Sequence, residues 1–458
     1  MSLAEIRLDD KYRLATGHLY LTGTQALTRL PMLQKQRDAA HGLNTACFIS
    51  GYRGSPLGNL DKSLWDAKQY LKDNHIHFQP GVNEELAATA CWGSQQTSLF
   101  PGARYDGVFA MWYGKGPGVD RCGDVFKHGN SAGVSPHGGV LLLAGDDHGC
   151  KSSSIAHQSE HAFIAASIPV LNPANVQEIL DYGIIGWELS RYSGCWVALK
   201  TIAENVDSSA VVEVDPLRVE VKTPTDFKLP EDGVHIRWPD PPLVQEKRLN
   251  TYKIYAARAF ALANNLNQIK LDSPNPRLGI ITTGKSYLDV RQALNDLGLD
   301  EALCAQVGLR VLKVGMSWPL EPVSVHEFAE GLDEILVVEE KRSIIEDQLT
   351  GQLYNWPVGK RPRVVGEFDE DGNSLLPNLS ELTPAMIARV IARRLAPIYS
   401  SPVIEERLAF LAAKEAALAA PKHNTARTPH FCSGCPHNSS TKLPEGSRAL
   451  GGIGCHYM

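Results

Sequence analysis

Two adjacent carboxylates open one short apolar segment: Asn83-Glu84-Glu85 runs directly into Leu-Ala-Ala-Thr-Ala-Cys-Trp-Gly93. Acidic residues in a helical first turn oppose the helix dipole and need no further purpose. The same placement also suits a carboxylate pressed against a bound heterocycle, with Ala87, Ala88, Ala90 and Gly93 allowing close packing around it. Three other stretches carry chemistry-bearing side chains. Gly51-Tyr52-Arg53-Gly54-Ser55-Pro56-Leu57-Gly58 follows an apolar run, and its glycines and Ser55 either approach a ligand or simply make a tight turn. Tyr113-Gly-Lys115-Gly-Pro-Gly118-Val-Asp120-Arg121-Cys-Gly-Asp124 sets Lys115 and Arg121 to hold an anionic substrate, or leaves them as solvated charges. It lacks the Gly-Lys-Ser/Thr ending of a P-loop. Asp146-Asp147-His148-Gly149 leads into His157-Gln-Ser-Glu160-His161, an H-x-x-E-H pattern. On one helix face His157 and His161 would bind zinc with Glu160 as base. The competing reading is a helix start in a loop that faces a cofactor.

A last cluster lies at the end of the sequence. Cys432-Ser-Gly-Cys435-Pro-His437 is followed by Gly451-Gly-Ile-Gly454-Cys455. Closely spaced thiolates suit an iron–sulfur centre, which takes four cysteines. Zinc, with His437 or His456 as fourth ligand, is the alternative. Cys47, Cys91, Cys122, Cys150, Cys195 and Cys304 are scattered and read as reduced, buried, small side chains.

The elements that must position these residues alternate between apolar runs and helical patterns. Strands are expected at 46–50, 108–112, 140–144, 168–171 and 196–199, with a helix over 176–190 between the last two. Uninterrupted apolar strands joined by helices predict a parallel sheet covered on both faces. Prolines and charges dominate 215–250, which reads as a linker. A second α/β unit follows, with strands at 278–282, 311–314 and 335–339 and helices at 287–297 and from 344. An Ala- and Leu-rich helix is expected over 403–420. The predicted domains are 15–215, a linker over 216–275, a second domain over 276–395, a helical connector over 396–428, and the start of a third domain over 429–458.

The 458 residues carry a net charge of −6 and no basic run, so nucleic acid is not an expected partner. The N-terminus has no apolar signal core, and no stretch approaches the ~20 apolar residues of a membrane span. A cytoplasmic protein is expected.

In order along the chain, these motifs resemble the 2-oxoacid:ferredoxin oxidoreductases, nearest to the indolepyruvate ferredoxin oxidoreductase branch in its fused bacterial form. Tyr52-Arg-Gly-Ser-Pro56 is similar to that family's Tyr-Pro-Gly-Thr-Pro loop, and Asn83-Glu84 to its Asn-Glu-Lys helix. Lys115 to Asp124 and Asp146 to Ser153 resemble its next two loops. Leu278 to Tyr287, Lys313 to Leu320 and Leu336 to Glu340 resemble its second domain. The terminal cysteine segments resemble the start of its diphosphate-binding domain.

The resemblance implies an α/β fold of the thiamine diphosphate enzyme type, with a pyrimidine-binding domain and a transketolase C-terminal-like domain. It implies thiamine diphosphate as cofactor, Mg²⁺ held through a domain or partner chain beyond these residues, and a [4Fe-4S] cluster with Cys432, Cys435 and Cys455 as three of its four ligands. Glu84 would be the catalytic acid, with Glu85 as the alternative. Gly54, Ser55, Pro56, Asp147 and Gly149 would line the cofactor, and Arg53, Ser55, Lys115 and Arg121 the substrate. The implied reaction is oxidative decarboxylation of a 2-oxoacid, with coenzyme A taking the acyl group and ferredoxin the electrons. The missing Gly-Asp-Gly…Asn motif implies a second chain that supplies the diphosphate-binding domain, and hence an oligomer. The other readings are a non-oxidative thiamine diphosphate decarboxylase or transferase, a non-catalytic truncated chain, and the zinc peptidase.

Overall fold

A computed structural model describes residues 7–153, 155–419, 431 and 433–448. The chain divides into two compact units, Met1–Ile404 and Glu405–Met458.

The first unit holds two large sheets. Its early strands are β1 (Gly17–Thr22), β2 (Thr45–Gly51), β3 (Ile76–Phe78), β4 (Gly107–Lys115), β5 (Val140–Asp146), β6 (Val170–Leu171), β7 (Val197–Ile202) and β8 (Ser209–Val214). They are followed by β9 (Asn267–Leu271), β10 (Leu278–Thr283), β11 (Leu309–Val314), β12 (Met316–Trp318), β13 (Glu334–Val338) and β14 (Arg363–Val365). The larger sheet has the order β12-β6-β7-β5-β4-β2-β3. All its pairs are parallel except β12 with β6. The second has the order β14-β13-β10-β11-β9, parallel except for β9. β1 and β8 form a separate antiparallel pair.

Central strands of the larger sheet are apolar throughout because helices cover both faces. Every residue of β5, Val-Leu-Leu-Leu-Ala-Gly-Asp, is buried. On one face pack the helices Gly23–Ala40 and Val176–Ser193, with Leu27, Leu30, Ile184 and Trp187 in the core. On the other, Ala87, Ala88 and Cys91 of the helix Glu84–Ser94 meet Trp112, Phe126 and Trp196. The helix Gly23–Ala40 starts at a reciprocal cap: Thr22 Oγ1 accepts from Gln25 N (3.1 Å), and Gln25 Oε1 accepts from Thr22 N (3.0 Å). The core of the second sheet is built from Ile281, Leu312, Phe328, Ile335 and Val337 against Ile345 and Leu349.

Two boundaries differ from the sequence-based expectation. The stretch 216–275 is more than a linker. It contains the helices Pro242–Arg248 and Ile254–Ala263, and it supplies β9 to the second sheet. Lys253, between those helices, is fully buried and donates to Asn130 O and Ser131 O (both 3.0 Å) at the end of the helix Gly123–Ala132. The chain also returns to the larger sheet. One residue after β11, β12 pairs with β6, and Asn172 N donates to Gly315 O (3.0 Å). Residues assigned to the second domain therefore complete the first sheet.

The second unit carries most of the helix Pro402–Ala419 and the short turn His437–Ser440.

Candidate active site

The carboxyl ends of β2, β4 and β5 lie level: Gly51 is opposite Tyr113, and Lys115 is opposite Gly145. The chain adds β3 on one side of β2 and β4 on the other. Such a reversal opens a crevice above the strand ends, where ligands bind in α/β sheets. The loop 52–58, the start of the helix Glu84–Ser94 and the turn Gly116–Arg121 surround this crevice.

Glu84 is the first residue of its helix. Asn83 Oδ1 caps the helix by accepting from Leu86 N (2.9 Å), and the indole N–H of Trp112 donates to Glu84 O (3.0 Å). The Glu84 side chain is 15% exposed and lies over Gly118. A methyl group on Gly118 would come within 2.6 Å of Glu84 Cγ and 3.0 Å of Oε1, so only glycine lets the turn approach this closely. Arg121 Nε stands 3.8 Å from Glu84 Oε2. Among the described residues, no hydrogen-bond donor reaches the Glu84 carboxylate. Glu85 is exposed.

Gly54 packs on the Lys115 side chain, and Pro56 and Leu57 pack on Gly145. Lys115 Nζ donates to Ser152 O (3.0 Å). Arg53, Ser55 and Arg121 are exposed at the rim. Glu84, Gly54, Lys115 and Arg121 thus share one crevice. Asp147 and Gly149 are engaged elsewhere. The Asp147 carboxylate accepts from Lys151 N (2.8 Å), Ser152 N (2.9 Å) and Ser153 Oγ (2.7 Å), so it organises its own loop. Gly149 lies against Glu381, and Lys341 Nζ donates to His148 O (2.9 Å). This part of the loop faces the second sheet.

The zinc-peptidase geometry is not formed. The helix begins only at Glu160 and runs to Ala165, so His157 precedes it and does not share a helix face with His161. The cause is Asp146, whose carboxylate takes Ser159 N (2.8 Å) and Ser159 Oγ (2.5 Å) and so keeps 155–159 out of the helix. Glu160 is paired with Lys200 instead. No group of three potential metal ligands occurs among the described residues. Cys435 is a partly exposed free thiol in the second unit; Cys432 and Cys455 lie outside the described residues.

Sequence reasoning missed the buried charges beneath the crevice. Lys200 on β7 is 4% exposed in its side chain and pairs with Glu160, with Asp146 3.8 Å away. Burial works against its charge, and the two carboxylates outweigh that, so its pKa is raised. The available signal was a lysine inside the apolar strand Val-Ala-Leu-Lys-Thr-Ile.

The architecture is that of the thiamine diphosphate-type α/β enzymes. The 2-oxoglutarate:ferredoxin oxidoreductase from Magnetococcus marinus, solved with 2-oxoglutarate, coenzyme A and succinyl-CoA bound, superposes with a TM-score of 0.55 at 14% identity. The match covers 82% of this chain and 65% of that one. Residues 265–421 match the indolepyruvate ferredoxin oxidoreductase middle domain family. Indolepyruvate oxidoreductase subunit IorA of Methanothermobacter marburgensis is 27% identical over 95% of this chain and 61% of its own length. The subunit IorA of Thermococcus kodakarensis is 25% identical over 91% of this chain and 59% of its own length. The chain is thus similar to the indolepyruvate ferredoxin oxidoreductases, by the family match over residues 265–421 and by these relatives along most of its length. It spans about three-fifths of the length of these curated relatives. Among the described residues, no helix is long and apolar enough to cross a membrane.

Proposed function

We propose that this chain forms the pyrimidine-binding side of a thiamine diphosphate-dependent 2-oxoacid:ferredoxin oxidoreductase acting on indolepyruvate or a related aryl pyruvate. The observation that carries the reading is the Glu84 carboxylate, fixed at a helix start over bare backbone and free to accept a hydrogen bond. That environment fits an aminopyrimidine, whose ring nitrogen needs one carboxylic partner and a close, flat approach. A further domain or chain would hold Mg²⁺ and the diphosphate, since these residues carry no Gly-Asp-Gly…Asn motif. When bound, thiamine diphosphate supplies a nucleophilic carbon and an electron sink for decarboxylation.

The chain's own residues then divide the work. Glu84 holds and exchanges the proton at the pyrimidine nitrogen. Arg121 keeps that carboxylate in place. Lys115, Arg53 and Ser55 at the rim attract and orient the substrate carboxylate. Gly54 and Pro56 shape the loop that covers the cofactor. Asp147 and Gly149 act indirectly, by setting the loop that receives Lys115. Cys432, Cys435 and Cys455 would hold an iron–sulfur cluster, which when bound would pass electrons on to ferredoxin, and coenzyme A would accept the acyl group. The assembly is an oligomer in the cytoplasm.

The test is the full-length protein, with any chain that completes it, assayed for viologen reduction. Indolepyruvate, phenylpyruvate and 2-oxoglutarate are compared with and without thiamine diphosphate. E84Q is expected to lower turnover about 100-fold or more, in the range of lost proton transfer, and E85Q to leave it near wild type. Turnover that needs no thiamine diphosphate, or that survives E84Q, would overturn the reading.

A further inference from the structure

The turn that carries Arg121 is held from behind by one imidazole. His157 Nε2 is 2.8 Å from Asp120 Oδ2, on the turn itself, and Nδ1 is 3.4 Å from Asp146 Oδ1, at the end of β5. The ring is packed directly onto Gly116, where a methyl group would collide with Nδ1 and Cγ. His157 N also donates to Asp147 O (3.2 Å), which ties the ring's own backbone to the loop after β5. Two residues along the turn, Gly118 lies under Glu84. His157 and Glu84 therefore grip opposite ends of one short run of backbone.

We propose that His157 is a positioning residue: its ring, hydrogen-bonded to Asp120 through Nε2 and facing the Asp146 carboxylate 3.4 Å away at Nδ1, clamps the turn Gly116–Arg121 and thereby fixes Arg121 against Glu84. The claim that this matters for turnover rests on Glu84 acting as proposed above; the clamp itself does not. A carboxylate faces each ring nitrogen, at 2.8 and 3.4 Å, and this pair of negative charges favours the doubly protonated ring. Burial disfavours that cation, but the Asp146 and Asp120 carboxylates outweigh it and push the pKa up to about 9. The other charged groups close to this cluster are Lys200, 3.8 Å from Asp146, and His148. Lys200 compensates the second Asp146 oxygen, and His148 is kept neutral by its own burial and by Lys200.

The experiment uses the full-length protein with H157Q, H157A and D120N. Nitrogen-detected NMR of wild type should show both His157 ring nitrogens protonated at pH 8, and D120N should lower that titration by at least one pH unit. Hydrogen–deuterium exchange should accelerate at least tenfold at amides 116–121 in H157A and less in H157Q, which retains one donor. In the assay, H157A should lower kcat at least tenfold, should remove a limb of the pH profile near 9, and should leave the KM for the 2-oxoacid within about twofold. A ring that titrates near 6.5 in wild type, or unchanged exchange at 116–121 in H157A, overturns the clamp. If the exchange and NMR results hold while wild type shows no thiamine diphosphate-dependent turnover, the clamp stands and the functional reading of Glu84 fails.

Discussion

Trp112 and Glu84 are joined across the larger sheet and the helix above it: the indole N–H at the end of β4 donates to the carbonyl of the helix's first residue at 3.0 Å. Trp112 is fully buried and meets Phe126 edge-on at 5.1 Å. One side chain thus joins the core to the position of the candidate catalytic acid. W112F should cost about 2–3 kcal/mol from lost volume and a lost hydrogen bond. Urea unfolding measures this. On the proposed function, thiamine diphosphate affinity should fall in the same variant, because the helix start is no longer anchored.

Gly118 offers a gentler probe of the same acid. The methyl of G118A would meet Glu84 Cγ at 2.6 Å, so the carboxylate must shift. A displacement of about 1 Å at a reacting group costs about 100-fold in rate. Turnover should drop by about 10–100-fold while the thermal transition stays within a few degrees of wild type. An unchanged rate would place the functional carboxylate elsewhere.

Lys253 gives a pH signature in stability. Burial pushes its amine down to about 8 from an ordinary 10.5. Between those values the unfolded chain binds more protons than the folded one, so this group makes stability rise with pH from about 8 to 10.5. K253M removes that rise. Wild type should gain on K253M by about 3 kcal/mol at most across the window, read from urea midpoints at pH 7.5, 9 and 10.5. A constant difference would mean the amine titrates normally.

Lys200 is the cation that makes a buried acidic pair tolerable. K200M leaves Glu160 and Asp146 without their nearest ammonium, and breaking a buried pair in this way costs about 3–5 kcal/mol. Adding E160Q to K200M should recover part of that loss. If the double variant is no more stable than K200M, the two residues are not coupled.

Much of this architecture was legible in the sequence because parallel strands buried on both faces become continuous apolar runs. Val140 to Ala144 and Val197 to Leu199 are such runs. Loops that end those strands were equally visible from their glycines and charges. Other features depended on three-dimensional context. Glu84 and Glu85 are equivalent as letters; Gly118 and Arg121 beside Glu84, and the exposure of Glu85, separate them. The H-x-x-E-H pattern failed because Asp146, at the end of the preceding strand, captures Ser159 and delays that helix. The helix Gly23–Ala40 was missed, and it holds an internal Pro31 that breaks the usual propensity argument. Its stability comes instead from packing: Leu27, Leu30 and Leu33 are buried.

The return of β12 to the larger sheet has a consequence for how such a chain can be cut or rearranged. A fragment ending before Met316 would lack the neighbour of β6 and would present that strand's backbone as a bare rim, prone to self-association. The two halves are laced together like a shoe rather than strung like beads. A gene break that kept both pieces healthy would have to fall outside the lacing, past Trp318, and not in the proline-rich stretch that looks, on paper, like the natural seam.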